Sequence, residues 1–531
     1  MDRTKIILML FALYTGLLYG QNLQIEWQQC YGGSENEAVS DILIHDDDYY
    51  ILGSTESENG DISFLHGGQD GWLIKTNSAG EIIWEKTYGG SNGDHLLRIL
   101  PSPDNCFYLL GSSYSSDGDI TNDPYPNSTD YWIIKIDTSG NILWDKILGG
   151  NMLDQMWTGT PTNDGGVVAF GWSASTDGDI SSPYGSNDMW MVKLNSGGDK
   201  EWEFSIGTDG QDIGQTIMQT SDGGFLVGGY SMINEGGNLL CTPHSWANEA
   251  ILVKLDAELN IEWQQCYGGS EHDALSAIIE LENGYIFVGQ GNSADGDLID
   301  SGWHGEGDIW VVKVDFFGNI IWQKCFGGSR NESAKIIYGT SDEGIIFLGV
   351  TKSIDGDVTG NHTISEYEHD IWVVKLNSSG DLLWEQCFGG IWDEQVSFGF
   401  LQKADNNFVI AGQTDFGPSF DVACTPHGGI YDRDFWVFEV KDTTTNVVVN
   451  EIGNPIVMVY PNPARDYVVF ELNEKPTNSI IQIVNVFGEQ VETLLIKAEK
   501  TVWDTREVQS GIYFYKIEID SKVLSGKIVI Q

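Results

Sequence analysis

A tryptophan that returns about every 60 residues is the feature of this sequence that most constrains its fold. It stands at Trp27, Trp84, Trp144, Trp202, Trp263, Trp322 and Trp384, at intervals of 57, 60, 58, 61, 59 and 62 residues. A run of β-branched and aromatic residues and a turn signal such as Gly318-Asn319 precede it, and in every copy but one Gly-Gly follows it. This pattern predicts a β-hairpin at a fixed place in each copy. The chain therefore repeats one small structural unit many times.

The first strand of each predicted hairpin carries the motif Asp-x-Trp-x-x-Lys. The motif starts at Asp70, Asp130, Asp188, Asp308 and Asp370 and is altered to Glu249-Ile251-Lys254 and Asp434-Trp436-Glu439 in two copies. Two further strand-like runs precede the hairpin, as in Glu37 to His45 and Tyr49 to Thr55. Four strands in each copy are typical of a propeller blade. The predicted fold class is all-β, with a seven-bladed β-propeller over residues 21–442.

The two ends of the repeat series are out of phase with the chain. Leu23 to Cys30 resembles a fourth strand with no third strand before it, and the last copy stops after its third strand, Phe435 to Val440. We expect the leading segment to complete the last sheet, which would close the ring and remove its exposed edges. The alternative is an open solenoid of seven sheets.

The segments outside the repeats indicate export and a second domain. Residues 1–20 have basic Arg3 and Lys5, an apolar run from Ile6 to Leu18 and a small Gly20, which together predict a secretory signal peptide. No later stretch approaches 18 apolar residues, so we expect no membrane span. Residues 443–457 are predicted to be a linker, and residues 458–531 a C-terminal domain.

The charge balance is strongly acidic and uneven. The chain has 78 acidic and 27 basic residues; the last 75 residues hold 10 and 8 of them, and the first 20 hold 1 and 2. Residues 21–456 therefore keep 67 acidic against 17 basic residues, a net charge of −50. Such a surface repels phosphate backbones, which argues against nucleic acid as a partner. It indicates either solubility outside the cell or carboxylates that bind divalent cations.

Carboxylates cluster in the long loop between the second and third strands of a copy. Asp-Gly-Asp gives the pairs Asp117 and Asp119, Asp177 and Asp179, Asp295 and Asp297, and Asp355 and Asp357. Such pairs could bind a structural Ca²⁺, the cofactor that the sequence suggests. No copy has the full spacing of a calcium loop, however, and Asp-Gly also forms turns in which Asp caps its own backbone. Both interpretations stay open.

Two copies replace Asp-Gly-Asp by Cys-Thr-Pro-His, at Cys241 to His244 and Cys424 to His427. In a closed ring these loops would share blades with Cys266 and Cys30, which lie three residues after the repeat Trp. We predict the disulfides Cys241–Cys266 and Cys30–Cys424, which an exported protein permits. Cys106, Cys325 and Cys387 then have no assigned partner. A metal site with His244 or His427 is the alternative, although it lacks the usual zinc spacing.

Most of the 19 tryptophans follow the repeat and are expected to pack between blades. Others lie outside the repeat positions and could form a binding surface for a glycan or a protein on one face of the propeller. The candidates for this ligand face are Trp157, Trp246, Trp303 and Trp392.

The last 73 or so residues carry a set of specific motifs. They are Tyr460-Pro461-Asn462-Pro463, Asn-x-x-Gly-x-x-Val in the middle, Ser-Gly511-x-Tyr513, and Lys527-Ile-Val-Ile at the end. This segment resembles the type A C-terminal sorting domain of the type IX secretion system of Bacteroidota. The resemblance implies recognition by the secretion translocon, export across the outer membrane, and release or attachment to surface lipopolysaccharide. Alternating residues in the same segment predict a small Ig-like β-sandwich.

The repeats carry no recognised catalytic motif. Their strand-turn-Trp unit is similar to that of quinoprotein-type propellers, and Thr220 to Gly224 is similar to a sialidase Asp box. A sialidase needs an arginine cluster, whereas residues 21–456 contain only Arg98, Arg330 and Arg433. The sequence favours a secreted or outer-membrane surface protein that binds a glycan or protein without being an enzyme. The alternative is a hydrolase of extracellular polysaccharide or protein with acidic residues on the loop face.

Overall fold

The computed structural model describes residues 23–232, 236–363, 365–404, 407–415, 417–429, 432–442, 457–460, 464–465, 467–472, 480–485, 490–496, 500–506, 508–519 and 522–530. The predicted signal peptide and most of the predicted linker lie outside these residues. The chain divides into two compact units, residues 1–444 and 445–531.

The first unit consists of short β-strands. They are β1 (Leu23–Tyr31), β2 (Glu37–His45), β3 (Asp48–Thr55), β4 (Asp70–Thr76), β5 (Ile82–Tyr88), β6 (Asp94–Ser102), β7 (Cys106–Ser113), β8 (Asp130–Ile136), β9 (Ile142–Leu148), β10 (Asp154–Pro161), β11 (Val167–Ser173), β12 (Asp188–Leu194), β13 (Lys200–Ile206), β14 (Asp212–Gln219), β15 (Phe225–Ser231), β16 (Glu249–Leu255), β17 (Ile261–Tyr267), β18 (Ala274–Leu281), β19 (Gly284–Gly291), β20 (Asp308–Val314), β21 (Ile320–Phe326), β22 (Glu332–Gly339), β23 (Ile345–Thr351), β24 (Asp370–Leu376), β25 (Leu382–Phe388), β26 (Gln395–Ala404), β27 (Asn407–Thr414) and β28 (Asp434–Asp442). The helical content of the described chain is a single 3₁₀ turn, Gly296–Leu298. No described helix has the length and hydropathy that a membrane crossing requires.

These strands form a series of four-stranded antiparallel sheets. Five sheets consist of consecutive strands: β6–β9, β10–β13, β14–β17, β18–β21 and β22–β25. The other strands form two halves, β2–β5 and β26–β28 with β1, which one parallel bridge between Asp41 and Phe398 joins. The first strand of each sheet contacts the first strand of the next, from β2 through β6, β10, β14, β18, β22 and β26 back to β2. The unit is therefore β-propeller-like.

Strand β1 takes the fourth place in the sheet of β26, β27 and β28. It pairs antiparallel with β28, and its Trp27 lies opposite Glu439. In the sheet β2–β5, Trp84 lies opposite Lys75 in the same way. The leading segment therefore has the register that the fourth strand has elsewhere in the unit.

In five copies the repeat Trp of the fourth strand packs against a glycine in the hairpin turn of the following sheet. Gly140 has φ +75°, and a Cβ added to it would lie 2.9 Å from the indole of Trp84. The hydroxyl of Tyr88 donates a hydrogen bond of 2.8 Å to the carbonyl of the same glycine. Equivalent contacts form at Gly80, Gly198, Gly318 and Gly380. Glycine is needed here both for the positive φ and for the close approach of the ring.

The Asp-x-Trp-x-x-Lys motif has a structural role at its last two positions. The motif Trp is fully buried in every sheet that has it, and Lys75 forms an ion pair of 3.0 Å with Asp48, at the start of the second strand of its own sheet. The same pair recurs as Lys135–Asp104, Lys193–Asp164, Lys254–Asp222 and Lys375–Asp342. In the last sheet Glu439 replaces the lysine and pairs with Lys403 at 3.1 Å. The altered motif therefore keeps the ion pair with its charges exchanged.

Two acidic residues of neighbouring sheets are buried at each Gly-Gly turn. The Asp94 carboxylate accepts a hydrogen bond of 2.7 Å from the Gly90 N–H, and a Cβ on Gly89 would lie 2.4 Å from Oδ1 of Asp70. Acidic residues that begin or precede the first strands are all fully buried: Glu37, Asp94, Asp154, Asp212, Asp273, Glu332 and Glu394. Those that begin the third strands are buried as well: Asp70, Asp130, Asp188, Glu249, Asp308, Asp370 and Asp434. A ladder of buried carboxylates therefore fixes the connections between sheets.

Burial raises the pKa of these carboxyl groups because it disfavours the charged form. It raises the pKa of Glu37 to about 7, of Asp130 to about 8 and of Glu394 to about 9. These groups hold a proton in the folded protein at a pH at which the unfolded chain has lost it.

Two disulfides join second-strand loops to fourth strands in equivalent places. They are Cys30–Cys424 and Cys241–Cys266, the two pairs that the repeat phase predicts, and their sequence separations are 394 and 25 residues. Cys325 and Cys387 are buried free thiols, and Cys106 is half-buried. The first disulfide ties β1 to the loop between β27 and β28.

The described residues of the second unit form seven strands: β29 (Val457–Tyr460), β30 (Tyr467–Leu472), β31 (Ile480–Asn485), β32 (Gln490–Leu495), β33 (Lys500–Asp504), β34 (Gly511–Ile519) and β35 (Lys522–Ile530). They form a three-stranded sheet, β29-β30-β33, and a four-stranded sheet, β32-β31-β34-β35. Residues of both sheets, among them Phe470, Trp503 and Ile517, form one buried apolar cluster. This unit is a pair of packed antiparallel sheets, as its alternating residues predict.

The two disulfides predict unequal losses of stability. Removing a disulfide restores loop entropy to the unfolded chain, and the entropy model gives about 6 kcal/mol for the 394-residue separation and about 3.5 kcal/mol for the 25-residue one. We expect the Cys30→Ser/Cys424→Ser variant to have a lower free energy of unfolding than the Cys241→Ser/Cys266→Ser variant, measured by denaturant unfolding. Equal losses, or a larger loss from the second pair, would contradict the role of β1 in joining the start of the first unit to its last sheet.

The buried carboxyl groups predict that stability falls as the pH rises. A group with a raised folded-state pKa binds its proton more tightly in the folded protein, so the free energy of unfolding decreases between its unfolded and its folded pKa. We expect denaturant unfolding to show lower stability at pH 9 than at pH 6, and Glu394→Gln to reduce this difference because Glu394 titrates at about 9. The prediction fails if Glu394→Gln leaves the pH dependence unchanged.

Candidate functional site

The Asp-Gly-Asp loops lie against the Gly-Gly turns that link neighbouring sheets. Asp117 accepts a hydrogen bond of 2.7 Å from the Ser91 N–H, and Asp119 accepts one of 3.3 Å from the Gly89 N–H. The pairs Asp177 and Asp179, Asp295 and Asp297, and Asp355 and Asp357 make the corresponding two bonds. In each pair the two carboxylates therefore cap backbone groups of the connection from the preceding sheet.

Histidines bridge these loops to the buried carboxylates. His66 Nδ1 lies 2.8 Å from Oδ2 of Asp70, and its Nε2 lies 3.4 Å from Oδ2 of Asp119 in the next sheet. His244, His304 and His427 link two neighbouring sheets in the same way. Within the described part of the chain, no group of three or more His, Cys, Asp or Glu side chains is arranged to hold a metal ion.

The two Cys-Thr-Pro-His loops place their cysteines and histidines in different surroundings. Cys241 and Cys424 are disulfide-bonded. His244 Nδ1 lies 2.9 Å from Glu249; burial alone would lower the pKa of His244, but this contact and the nearby carboxylates raise it overall. His427 has the equivalent contact of 2.8 Å with Asp434. Each histidine therefore belongs to the carboxylate ladder.

A cavity of about 310 Å³ is lined by residues of several first strands, and we call it the inner cavity. Its lining includes Trp157, Gln215, Ser276 and Lys335, which occupy β-bulges in β10, β14, β18 and β22. Phe398 comes from the irregular stretch of β26. A bulge inserts an unpaired residue and redirects its side chain. The bulged side chains therefore line the inner cavity, and they can differ in polarity and charge without changing the residues that pack in the core.

The rest of the lining is mainly polar. It consists of Tyr230, Asn248, His272, Asp273, Ala274, Gln290, Asn292, Ser333, Ala334 and Ser397. His272 Nδ1 accepts a hydrogen bond of 3.0 Å from the Asn248 N–H, so its Nε2 carries the proton of the neutral ring and can donate to a ligand. The volume lies at the lower end of the range for ligand pockets, roughly 300–1,000 Å³.

The structure separates the four tryptophans proposed for a ligand face. Only Trp157, of which 37% is exposed, lines the inner cavity. Trp246 is 85% exposed in the loop before β16, Trp303 lies in the loop before β20, and Trp392 is half-buried before β26. Trp246, Trp303 and Trp392 do not line the inner cavity.

Lys335, Phe398, Gln215 and His272 were not identified from the sequence. A signal was present three residues after the buried acid of each first strand, where the copies have Ser40, Leu97, Trp157, Gln215, Ser276, Lys335 and Ser397. The acid is kept and the residue directly before this position is apolar or Gly in every copy, whereas this position changes from copy to copy, as the position after it also does. A position whose residue type differs between copies does not serve a packing contact that all copies share, and it can instead indicate a binding site.

The sorting-signal residues lie partly outside the described residues. Gly511 begins β34, and the hydroxyl of Tyr513 donates a hydrogen bond of 2.7 Å to the Gln509 carbonyl. Tyr460 ends β29 and Lys527 lies in β35. Pro461, Asn462 and Pro463 fall outside the described residues.

Comparison with solved structures finds several chains of low similarity. They include PorZ, a surface component of the type IX secretion system of Porphyromonas gingivalis, with 10% identity, a TM-score of 0.32 and coverage of 94% of this chain. This chain spans 60% of the length of PorZ. The WD40 domain of Neurospora crassa Pan2 gives 10% identity, a TM-score of 0.42, and coverage of 80% of this chain and 97% of that one. A polysaccharide lyase, an ulvan lyase, has 9% identity and a TM-score of 0.44, and the match covers 78% of this chain and 96% of that one.

Comparison by sequence assigns only the C-terminal domain. No curated protein matches the chain. Residues 458–531 match the family described as the secretion system C-terminal sorting domain. The chain therefore carries the sorting domain of type IX secretion cargo, which implies secretion or attachment to the cell surface.

Proposed function

We propose that the chain is an exported binding protein, released or held at the outer-membrane surface, which captures its ligand in the inner cavity. The observation that carries this proposal is the set of bulged residues. A half-exposed Trp157, a Phe398 ring and the amides of Gln215 and Gln290 meet in one cavity. Aromatic rings with a few converging polar groups are typical of small-ligand sites.

We also propose how each of the two units is built. The first unit is a seven-bladed propeller that the N-terminal strand closes, as the pairing of β1 with β28 supports. The second unit is an Ig-like domain of type A that the translocon recognises, and the family match to residues 458–531 supports its role in sorting.

We propose that binding occurs without turnover. Glycoside hydrolysis generally uses two carboxyl groups, and the described lining of the inner cavity has one, that of Asp273. Asp273 already accepts hydrogen bonds from the Gly269, Asn292 and Ser293 N–H groups and from the Ser293 hydroxyl. These bonds support a structural role for Asp273.

We also propose that the Asp-Gly-Asp pairs act as turn caps and need no Ca²⁺. Their oxygens accept backbone hydrogen bonds, as in Asp117 with Ser91 and Asp119 with Gly89. A cap of this kind typically contributes about 1 kcal/mol.

The binding proposal predicts that Trp157 is needed and Trp246 is not. We expect the full secreted chain to bind on a glycan array of neutral and acidic oligosaccharides, and Trp157→Ala to remove that binding because the ring forms part of the inner cavity. Trp246→Ala is the matched control, since Trp246 is more exposed but lies outside the inner cavity.

The opposite result, loss of binding from Trp246→Ala with Trp157→Ala unaffected, would place the ligand on the loops and contradict the proposal. Release of reducing ends from bound oligosaccharides would contradict binding without turnover.

The capping proposal predicts that metal removal has no effect. We expect the melting temperature to be unchanged by a chelator, Asp119→Asn to be tolerated, and Asp119→Ala to cost about 1 kcal/mol of unfolding free energy. A melting temperature that rises with Ca²⁺ concentration, as ligand linkage requires, and that Asp119→Asn makes insensitive to Ca²⁺, would show a calcium site instead.

A further inference from the structure

Lys335 is the one lysine in the described lining of the inner cavity. Its side chain extends from the bulge of β22 into the lining. Among the residues that the structure describes, none forms an ion pair or a hydrogen bond with its ammonium group. Among the described residues, the positive charge of this lining residue is therefore not compensated by an acidic side chain.

Most lysines in the described part of the first unit have an acidic partner. Eight other lysines form ion pairs with acidic side chains: Lys75, Lys135, Lys193, Lys200, Lys254, Lys324, Lys375 and Lys403. Residues 21–456 hold 67 acidic against 17 basic residues, so acidic partners are abundant. A lysine left alone in such a chain leaves its charge available to a ligand.

The neighbouring cation is already neutralised. Arg98 lies over the ring of Phe398 at 4.4 Å, and its Nε donates a hydrogen bond of 2.9 Å to Asp41. Burial lowers the pKa of Lys335 because it disfavours the charged form. An anionic group inside the cavity would supply the missing partner and gain Coulomb energy in partly desolvated surroundings.

The remaining groups suit the hydroxyls and apolar face of a sugar ring. Gln215, Asn248, Gln290 and Asn292 contribute side-chain amides that can donate and accept hydrogen bonds, although Asn292 Nδ2 already donates one to the His272 carbonyl. Trp157 offers a partly exposed aromatic face that can pack against the C–H groups of a ring. The volume of about 310 Å³ limits the ligand to a small unit, such as the end of a chain.

We propose that the inner cavity binds a sugar unit that carries one anionic group, a carboxylate or a sulfate, which pairs with the ammonium of Lys335 while the ring packs on Trp157. This inference rests on the proposed function and names its ligand class. The acidic surface still repels long polyanions, so the site selects a single terminal unit.

The test is calorimetric titration of the full secreted chain with four probes: D-glucuronate, D-galacturonate, D-glucose 6-sulfate and D-glucose. We expect at least one anionic sugar to bind about 10-fold or more tightly than D-glucose, which corresponds to about 1.4 kcal/mol. The Lys335→Met variant should bind that sugar no better than D-glucose. Lys335→Arg, which keeps the charge, should retain part of the preference.

Lys352→Met is the matched control, because it removes a lysine outside the inner cavity, and it should leave the preference intact. Melting temperatures within a few degrees of the unsubstituted protein establish that each variant is folded. A comparison of the carboxylated with the sulfated sugars identifies the anion.

Failure of this inference can be told apart from failure of the proposed function. If D-glucose binds as tightly as the anionic sugars and Trp157→Ala removes both, the inner cavity is a sugar site but the inference is wrong. If Lys335→Met keeps the anionic preference, or no anionic sugar binds, the inference is also wrong. Binding that survives both Trp157→Ala and Lys335→Met would overturn the proposed function itself.

Discussion

The contact between a fourth-strand tryptophan and the hairpin glycine of the next sheet is the interaction on which the first unit depends. A single four-stranded sheet of this size cannot bury its own apolar faces. In this chain each sheet buries them against its neighbours, and Trp84 on Gly140 shows how closely the two surfaces approach. Because the contact combines a large ring with a residue without a side chain, five copies repeat tryptophan and glycine together, whereas Leu259, with φ +67°, takes the place of the glycine in the turn after Trp202. The repeat Trp recurs about every 60 residues because five copies make this contact with the next sheet.

The buried acids explain how a strongly acidic chain can still pack. Part of the negative charge counted from the sequence is neutral in the folded protein, since burial raises the pKa of groups such as Glu37 and Glu394. Other acids cap backbone N–H groups or pair with lysines in turns. The net charge therefore overstates the charge that a ligand meets. Within this arrangement, a lysine without an acidic partner is more informative than any single carboxylate.

The fold could be predicted largely from the sequence because it is set by repeated local patterns. The hairpin pattern around Gly318 predicted the third and fourth strands of each sheet. The phase of the series predicted that the segment of Leu23 pairs with the strand of Phe435, as it does in the structure. The same phase paired Cys30 with Cys424 and Cys241 with Cys266. The inner cavity was less accessible to prediction. Trp157 was identified as a residue outside the repeat positions, but its place in a bulge, and the convergence of Lys335 and Phe398 upon it, depend on register shifts that residue patterns do not encode.

The first strands carry bulged side chains that differ from sheet to sheet on a shared framework of buried acids, and we propose that those lining the inner cavity determine the ligand. The framework explains why the site can change without loss of the fold, since a bulged side chain has no cross-strand partner to preserve. The most direct measurement is a crystal structure of the full chain with D-glucuronate bound. The account predicts the carboxylate at salt-bridge distance from Lys335 and the sugar ring against Trp157. A sugar bound at Trp246 or elsewhere on the loops, with the inner cavity free of it, would contradict the account.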